Sequence, residues 1–203
     1  MLTLYYHPES RGLATLWLLE ELEADYQAKI VELRGPTGAP ESYRAIHPHK
    51  KVPAIVHEGV TIIERSAISI YLADRFPKKG LAPAIDDPMR GPYLAWTIYN
   101  SGVLDPALSA TVLGWDYDPA RVPFGAWDEV VSYVERTLTE TPYIAGDRFT
   151  AADTQMASSL HWGINLLGKI PPKPIFKEYL ARIAERPAFQ KVVLQSQPIK
   201  AAV

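Results

Sequence analysis

Three short segments near the amino terminus carry the side chains most able to take part in chemistry. The first holds the hydroxyls of Tyr6 and Ser10, separated by a turn. The second is Lys51-Val52-Pro53, and the third places Glu64 and Arg65 at the expected start of a helix. A helix N-terminus attracts a carboxylate through its unpaired N–H groups, and an acidic side chain beside it attracts an ammonium. The third segment could therefore bind a zwitterion, whereas Ser10 as a helix cap and Tyr6 as a strand aromatic also have purely structural uses.

The 203 residues contain no cysteine, which limits the chemistry of the chain. Disulfides, thiolate metal sites and a cysteine nucleophile are excluded, so any thiol chemistry must use a thiol supplied by a ligand. His47 and His49 form an H-x-H pair without a third ligand nearby, so we expect no metal site.

Composition and charge narrow the function classes further. The formal net charge is -2 and the isoelectric point is about 6.2, which leaves no broad basic surface for a nucleic acid or an anionic membrane. Hydrophobic residues make up 47% of the chain, enough for a sizeable core. From Met1 onward there is no charged leader region, and no later segment approaches the length of a membrane span. We therefore expect a cytoplasmic protein.

The hydrophobic pattern of the first part alternates between strand and helix. Strand patterns cover residues 2–6, 27–33, 53–56 and 60–63, the last two as a hairpin. Apolar residues recur at helical spacing from Leu13 to Leu22 and again from Ala67 to Leu72, with a short helix predicted at 40–46. The predicted order of elements is βαβ followed by ββα.

The composition changes after Phe76. Residues 78–88 are polar and rich in proline, as in a connection between domains, and from Met89 onward the pattern is helical and rich in aromatic residues. We therefore predict an α/β domain at 1–77, a linker at 78–88 and an all-helical domain at 89–203.

Four segments, in this order along the chain, resemble the cytosolic glutathione S-transferase family. They are Leu4 to Gly12 with the helix that follows, Lys51 to Ala54, Glu64 to Ile68, and Gly146 to Asp153. The last is similar to a capping box, in which Thr150 and Asp153 pair with each other's backbone N–H groups. The resemblance implies a thioredoxin-like domain that binds glutathione, a helical domain that shapes the second-substrate pocket, and a homodimer.

The resemblance also assigns roles in binding glutathione. Pro53 is expected to follow a cis peptide bond, which leaves the backbone of Val52 free to pair with the cysteinyl part. Glu64 would meet the γ-glutamyl ammonium, and the helix N-terminus its carboxylate. Arg65 stands where the family generally has Ser, Thr or Gly, so only its backbone N–H is expected to serve. Lys51 would face the glycyl carboxylate.

The family holds the glutathione thiol as a thiolate, and two hydroxyls compete to stabilise it. Ser10 lies on the turn that enters the first helix, as in serine-type members, whereas Tyr6 resembles the placement in tyrosine-type members. Ser10 is the preferred donor, and Arg11 is a further candidate. A thiol with a pKa near 8.5 needs a shift of roughly 1.5 units, which one hydrogen bond to the charged sulfur can supply.

The expected reaction is conjugation of glutathione to a small hydrophobic electrophile, a detoxification chemistry. We expect aromatic and polar residues of the helical half to line the electrophile pocket: Trp96, Tyr99, Asn100 and Trp115, with Tyr117 and Trp162 as further candidates. Two alternatives stay open at this point. One is a non-catalytic ligand-binding or stress-response protein of the same fold. The other is a glutathione-dependent isomerase, dehalogenase or peroxidase.

Overall fold

A computed structural model of the chain describes residues 1–36 and 38–195, with side chains up to Val192. The amino-terminal half contains, in order, β1 (Leu2–Tyr6), α1 (Gly12–Glu21), β2 (Tyr26–Ile30), a 3-10 turn (Glu41–Ala45), β3 (Ala54–His57), β4 (Val60–Ile63) and α2 (Arg65–Arg75). The sheet order is β2-β1-β3-β4, in which β1 and β2 are parallel and the other pairs antiparallel. This arrangement confirms the predicted βαβ-ββα order.

β1 is the strand around which this half is built, because its side chains reach two separate apolar clusters. Leu2 and Leu4 are buried in the main core, and Tyr6 packs against the same side. Tyr5 points the other way and contacts the ring of Tyr43. β2 ends at Ile30, earlier than predicted, because its last partner on β1 is Tyr6, the final residue of that strand.

The second half is helical, as predicted. It contains α3 (Arg90–Tyr99), α4 (Asp105–Leu113), α5 (Trp127–Glu140), α6 (Ala151–His161), α7 (Pro174–Ala184) and α8 (Pro187–Gln195), with short 3-10 turns at Pro77–Lys79 and Pro119–Arg121. A π-helical turn, Asn100–Leu104, joins α3 to α4, and a second one, Trp162–Leu166, follows α6. Within the described residues, none of these helices combines the length and apolar character needed to cross a bilayer.

α6 is fixed at its start by the predicted capping box of Thr150 and Asp153. The carboxylate of Asp153 accepts hydrogen bonds from the backbone N–H groups of Thr150 and Ile144, each at 2.8 Å, and from the hydroxyl of Tyr179 at 2.9 Å. Asp153 is completely buried, and burial raises its pKa to about 6. One side chain thus ties α6 to the preceding loop and to α7.

α1 joins the two halves, because it packs against both the sheet and the helical half. Trp17 contacts the rings of Phe149 and Phe189 from the second half. Beside it, Arg186 donates to both carboxylate oxygens of Glu21, at 2.7 Å each. These contacts hold the middle and the carboxyl end of α1 against the helical half.

Candidate active site

A cleft of about 350 Å³ lies beyond the carboxyl end of β1, between the two halves. Four residues predicted to act on glutathione line it together: Ser10, Arg11, Lys51 and Val52. Glu9, Lys50 and Trp162 also line it. The fold thus brings the turn after β1 next to the segment before β3, although some 40 residues separate them in the sequence.

The hydroxyl of Ser10 is already engaged within the turn. It donates to the carbonyl oxygen of His7 at 2.7 Å and accepts from the N–H of Gly12 at 3.0 Å. A Cβ atom on Gly12 would lie 2.9 Å from the Cβ of Tyr6 and 3.0 Å from the Ser10 oxygen, so only glycine fits there. Ser10 therefore closes the turn, and its proton must turn away from His7 before it can point at another acceptor.

Tyr6, the alternative hydroxyl, is not part of the cleft lining. Its side chain is half-buried against the main core, on the same side of β1 as Leu2 and Leu4. Burial raises the pKa of Tyr6.

Arg11 is held in place from three sides. It donates to the hydroxyl of Ser159 and to a carboxylate oxygen of Asp105, both at 2.8 Å, and its guanidinium lies 5.2 Å from the ring centre of Trp162. Burial lowers the pKa of Arg11 to about 10, with a further lowering by Arg65 and an opposing effect of Asp105, so the side chain keeps its charge at neutral pH. A fixed cation thus forms part of the cleft wall.

Arg65 turns its side chain away from the cleft. It is only 7% exposed and pairs with the second carboxylate oxygen of Asp105. Burial lowers its pKa, and Asp105 partly offsets this. Two guanidinium groups against one carboxylate leave one net positive charge in the cluster of Arg11, Arg65 and Asp105.

Sequence reasoning missed Asp105 and Ser159 as partners of the cleft. Asp105 lies 94 positions from Arg11 and 40 from Arg65, and Ser159 lies 148 positions from Arg11. In the sequence, Asp105 followed by proline indicates only a helix start. No local pattern could have paired these residues, because the contacts depend on how α4 and α6 pack on the first half.

Glu64 precedes α2 with an exposed carboxylate, next to the first backbone N–H groups of that helix. Glu64 has φ +68°, a conformation that residues other than glycine seldom adopt. Its exposed side chain makes no hydrogen bond to the helix that it precedes. The first N–H groups of α2 have no partner within the helix, as at any helix start.

The segment before β3 has the predicted peptide geometry. The Val52–Pro53 bond is cis, as expected. Lys51 is exposed and lines the cleft, while Lys50 has φ +54° and places its Nζ 3.4 Å from Glu41. Lys50 thus adopts a backbone conformation that favours glycine.

A larger, mostly apolar cavity of about 700 Å³ lies between α1, α6, α7 and α8. Its lining includes Leu13, Trp17, Ile183 and Phe189, and it shares Trp162 with the cleft. Trp162 therefore lines both cavities, of which the larger is mostly apolar and the cleft has the greater polar share.

The four residues predicted for the electrophile pocket line neither cavity. Trp96 and Tyr99 pack against Tyr133 of α5, with ring centres 4.7 and 5.4 Å apart. Asn100 is completely buried, and Trp115 is 58% exposed just after α4. Of the six candidates named from the sequence, Trp162 is the one found at the cleft.

Across residues 1–36 and 38–195, no group of three or more His, Cys, Asp or Glu side chains is placed to hold a metal ion.

Comparison with protein families identifies both halves of the chain. Residues 1–74 match the model described as "Glutathione S-transferase, N-terminal domain", and residues 123–187 match "Glutathione S-transferase, C-terminal domain". Glutathione S-transferase 3 of Schizosaccharomyces pombe is 28% identical, over 93% of this chain and 85% of its own. The disulfide-bond oxidoreductase YfcG of Escherichia coli is 27% identical, over 97% and 96%.

Solved structures of glutathione transferases align with this chain over almost its whole length. A glutathione transferase from Methylococcus capsulatus has a TM-score of 0.79 and 28% identity, with 97% of this chain and 98% of that one covered. A sphingomonad glutathione S-transferase complexed with glutathione has the same TM-score and 25% identity, with 96% and 98% covered.

Proposed function

Because this chain belongs to the cytosolic glutathione S-transferase family, we propose that it holds the thiol of glutathione as a thiolate in the cleft and presents it to a small hydrophobic electrophile. The chain is a glutathione transferase, and glutathione is its co-substrate. The observation that carries the finer proposal is the meeting of Ser10, Arg11, Lys51 and Val52 in one cleft.

In the proposed pose, glutathione spans from the start of α2 to Lys51. Its γ-glutamyl carboxylate binds the N-terminal N–H groups of α2, and its ammonium meets the exposed carboxylate of Glu64. The backbone of Val52 pairs with the cysteinyl part, and Lys51 faces the glycyl carboxylate. The buried ion pair of Arg65 with Asp105 supports a backbone role for Arg65, since its guanidinium points elsewhere.

This pose brings the sulfur to the turn that carries Ser10 and Arg11. The Ser10 proton turns from the carbonyl oxygen of His7 to the sulfur, while its oxygen keeps the hydrogen bond from Gly12. The net positive charge of the Arg11, Arg65 and Asp105 cluster favours the thiolate further. A hydrogen bond to a charged group contributes roughly 1.5–3 kcal/mol, about what a thiol needs to ionise at neutral pH.

The electrophile is proposed to bind in the larger cavity, against Trp162. This cavity adjoins the cleft through that one side chain, and its apolar lining suits a hydrophobic molecule. This assignment takes the place of Trp96, Tyr99, Asn100 and Trp115 in the second-substrate pocket.

We also propose a cytoplasmic homodimer. Exposed apolar side chains on β4, α3 and α5 support a protein–protein contact: Val60, Ile98 and Tyr133. Sedimentation at micromolar concentration should give twice the monomer mass of 22.6 kDa, and monomer alone would contradict the dimer.

Calorimetric titration with glutathione, followed by turnover assays with a panel of aromatic and aliphatic electrophiles, tests the proposed function. We expect saturable binding and glutathione-dependent conjugation of at least one electrophile. Binding without turnover of any electrophile would favour a ligand-binding module of the same fold, and absence of binding would overturn the assignment of the cleft.

A further inference from the structure

Behind the cleft, polar side chains from several packed helices can be grouped into two layers. The upper layer is the cluster already described together with its hydroxyl partner: Arg11, Arg65, Asp105 and Ser159. Another polar residue lies four or five positions along the chain from each of these, and these four define the lower layer: Thr15, Ser69, Asn100 and Gln155. All four lower-layer residues are at most 1% exposed.

The π-helical turn at Asn100–Leu104 lets one helix contribute to both layers. The backbone N–H of Asp105 donates to the carbonyl oxygen of Asn100, five residues earlier. Such turns are rare and often mark functional sites. Asn100 thus lies one π-helical turn before Asp105 in the same continuous helical segment.

The lower layer is short of hydrogen-bond partners. Gln155 donates from Nε2 to the hydroxyl of Ser69 at 2.8 Å. Within the described part of the chain, Oε1 of Gln155, the Thr15 hydroxyl, both amide atoms of Asn100 and Nη1 of Arg65 have no partner. Only one other buried side-chain atom among the described residues, the Tyr93 hydroxyl, shares this condition. Five of the six unpaired buried side-chain atoms among the described residues therefore belong to these two layers.

The chemistry of these groups favours one kind of ligand. They include donors on Asn100 and Arg65 and acceptors on Asn100 and Gln155, while the Thr15 hydroxyl can act as either. The donors would repel a cation, and the carbonyl oxygens would repel an anion. Water both donates and accepts, and buried water typically pairs with polar groups that the protein leaves unsatisfied.

We propose that the lower layer is an internal water-binding site, in which ordered water pairs with Thr15, Asn100, Gln155 and Nη1 of Arg65. Folded proteins pair the great majority of their buried donors and acceptors, because an unpaired one is costly. Water at this site completes the hydrogen bonding of Arg65, which in turn holds Asp105 and Arg11. The site therefore lies directly behind the charged wall of the cleft.

Thermal unfolding of two variants distinguishes hydrated from dry polar groups, because the change in Tm has the opposite sign in the two cases. Asn100→Leu and Thr15→Val replace polar groups by apolar ones of similar size. If water is bound, both variants lose hydrogen bonds and Tm falls, by about 2 °C or more for each. If the groups are dry and unpaired, removing them raises Tm, which would overturn the proposal. Thr15→Val is nearly isosteric and keeps the test valid if Asn100→Leu does not fold.

Oxygen-17 magnetic relaxation dispersion of the glutathione-free protein tests the site directly, because it counts long-lived internal water. Thr15→Val or Asn100→Leu should lower the count by at least one molecule. Thr97→Val, which removes a completely buried hydroxyl that already donates to the carbonyl oxygen of Tyr93 at 2.8 Å, is the matched control for Thr15→Val and should leave the count unchanged. An equal count in the wild type and both layer variants would refute the water-binding site.

Discussion

Ser10 has two tasks that a single substitution separates. In the protein without glutathione its hydroxyl closes the turn between His7 and Gly12, and in the proposed complex the same hydroxyl donates to the sulfur. The first task affects stability, and the second affects the ionisation of the thiol. The two effects are read by different measurements.

Ser10→Ala should raise the pKa of the bound glutathione thiol by roughly one to two units, because the thiolate loses a donor. At neutral pH, kcat/KM should fall about tenfold or more and partly recover as the pH rises. The unfolding free energy should fall by about 1 kcal/mol through the lost turn bonds. The thiol pKa is measured by the ultraviolet absorbance of the thiolate in the complex.

Tyr6→Phe is the matched control, because Tyr6 packs against the core and does not line the cleft. It should leave the pH profile unchanged. A pH profile that moves with Tyr6→Phe but not with Ser10→Ala would identify Tyr6 as the donor to the thiolate. If neither substitution moves the profile, Arg11 or the backbone N–H groups of the turn are the remaining donors.

Glu64→Ala should weaken glutathione binding more than Lys51→Ala does. In the proposed pose, Glu64 stands at the helix start that binds the opposite charge of the same zwitterion, whereas Lys51 faces a single carboxylate; both side chains are exposed without glutathione. We expect about a tenfold or larger rise in Kd for Glu64→Ala and less than threefold for Lys51→Ala, measured by calorimetry. Equal and negligible losses of affinity would show that neither residue binds glutathione.

At the level of elements, the capping box shows how a polar group can organise a core. Asp153 is completely buried and accepts from two backbone N–H groups and two hydroxyls, those of Thr150 and Tyr179. Burial alone would keep this carboxyl protonated well above its usual pKa of 3.8, and the four donors limit that rise to about 6.

The raised pKa predicts how stability depends on pH. A carboxyl whose pKa is higher in the folded state contributes stability that is fully present below the unfolded value of about 4 and is lost as the pH rises through about 6. Asp153→Asn keeps the shape but does not titrate. The unfolding free energy of the wild type relative to this variant should therefore decrease between pH 4 and pH 7, as measured by urea unfolding. A difference that is constant or increasing with pH would show that the folded carboxyl is not raised.

The elements also show what could be predicted from the sequence. Local signals sufficed for β1, α1, the hairpin of β3 and β4, and the capping box of α6, because turn residues and apolar spacing act within a few positions. The π-helical turns could not be foreseen: 93–108 has continuous helical spacing, yet Asn100–Leu104 widens it. The pairing of Arg11 and Arg65 with Asp105 depends on packing between distant segments, and so does the location of the apolar cavity.

For the whole molecule, α1 contacts α8 and the residue that precedes it, and this contact helps to join the two halves. The carboxylate of Glu21 is 8% exposed and binds Arg186 through two hydrogen bonds, whereas the neighbouring pair of Glu20 and Lys191 has a cation that is 57% exposed. The first pair is enclosed, and the second is screened by solvent. The two offer a comparison within one interface.

Arg186→Met should lower the unfolding free energy by about 1–3 kcal/mol, because the enclosed carboxylate of Glu21 loses its cation, although the hydrogen bond from the indole N–H of Trp17 remains. Lys191→Met, the surface control, should cost less than about 1 kcal/mol. Denaturant unfolding followed by tryptophan fluorescence measures both. Equal effects would mean that the enclosed pair does not hold the halves together.

Trp162 lines both the cleft and the apolar cavity, with the guanidinium of Arg11 near its ring. If glutathione binds in the cleft and the electrophile in the cavity, as proposed, the two binding free energies are interdependent, since any shift of the indole that one ligand induces changes the wall offered to the other. Linkage makes this interdependence reciprocal: the factor by which glutathione changes the affinity for the electrophile must equal the factor by which the electrophile changes the affinity for glutathione.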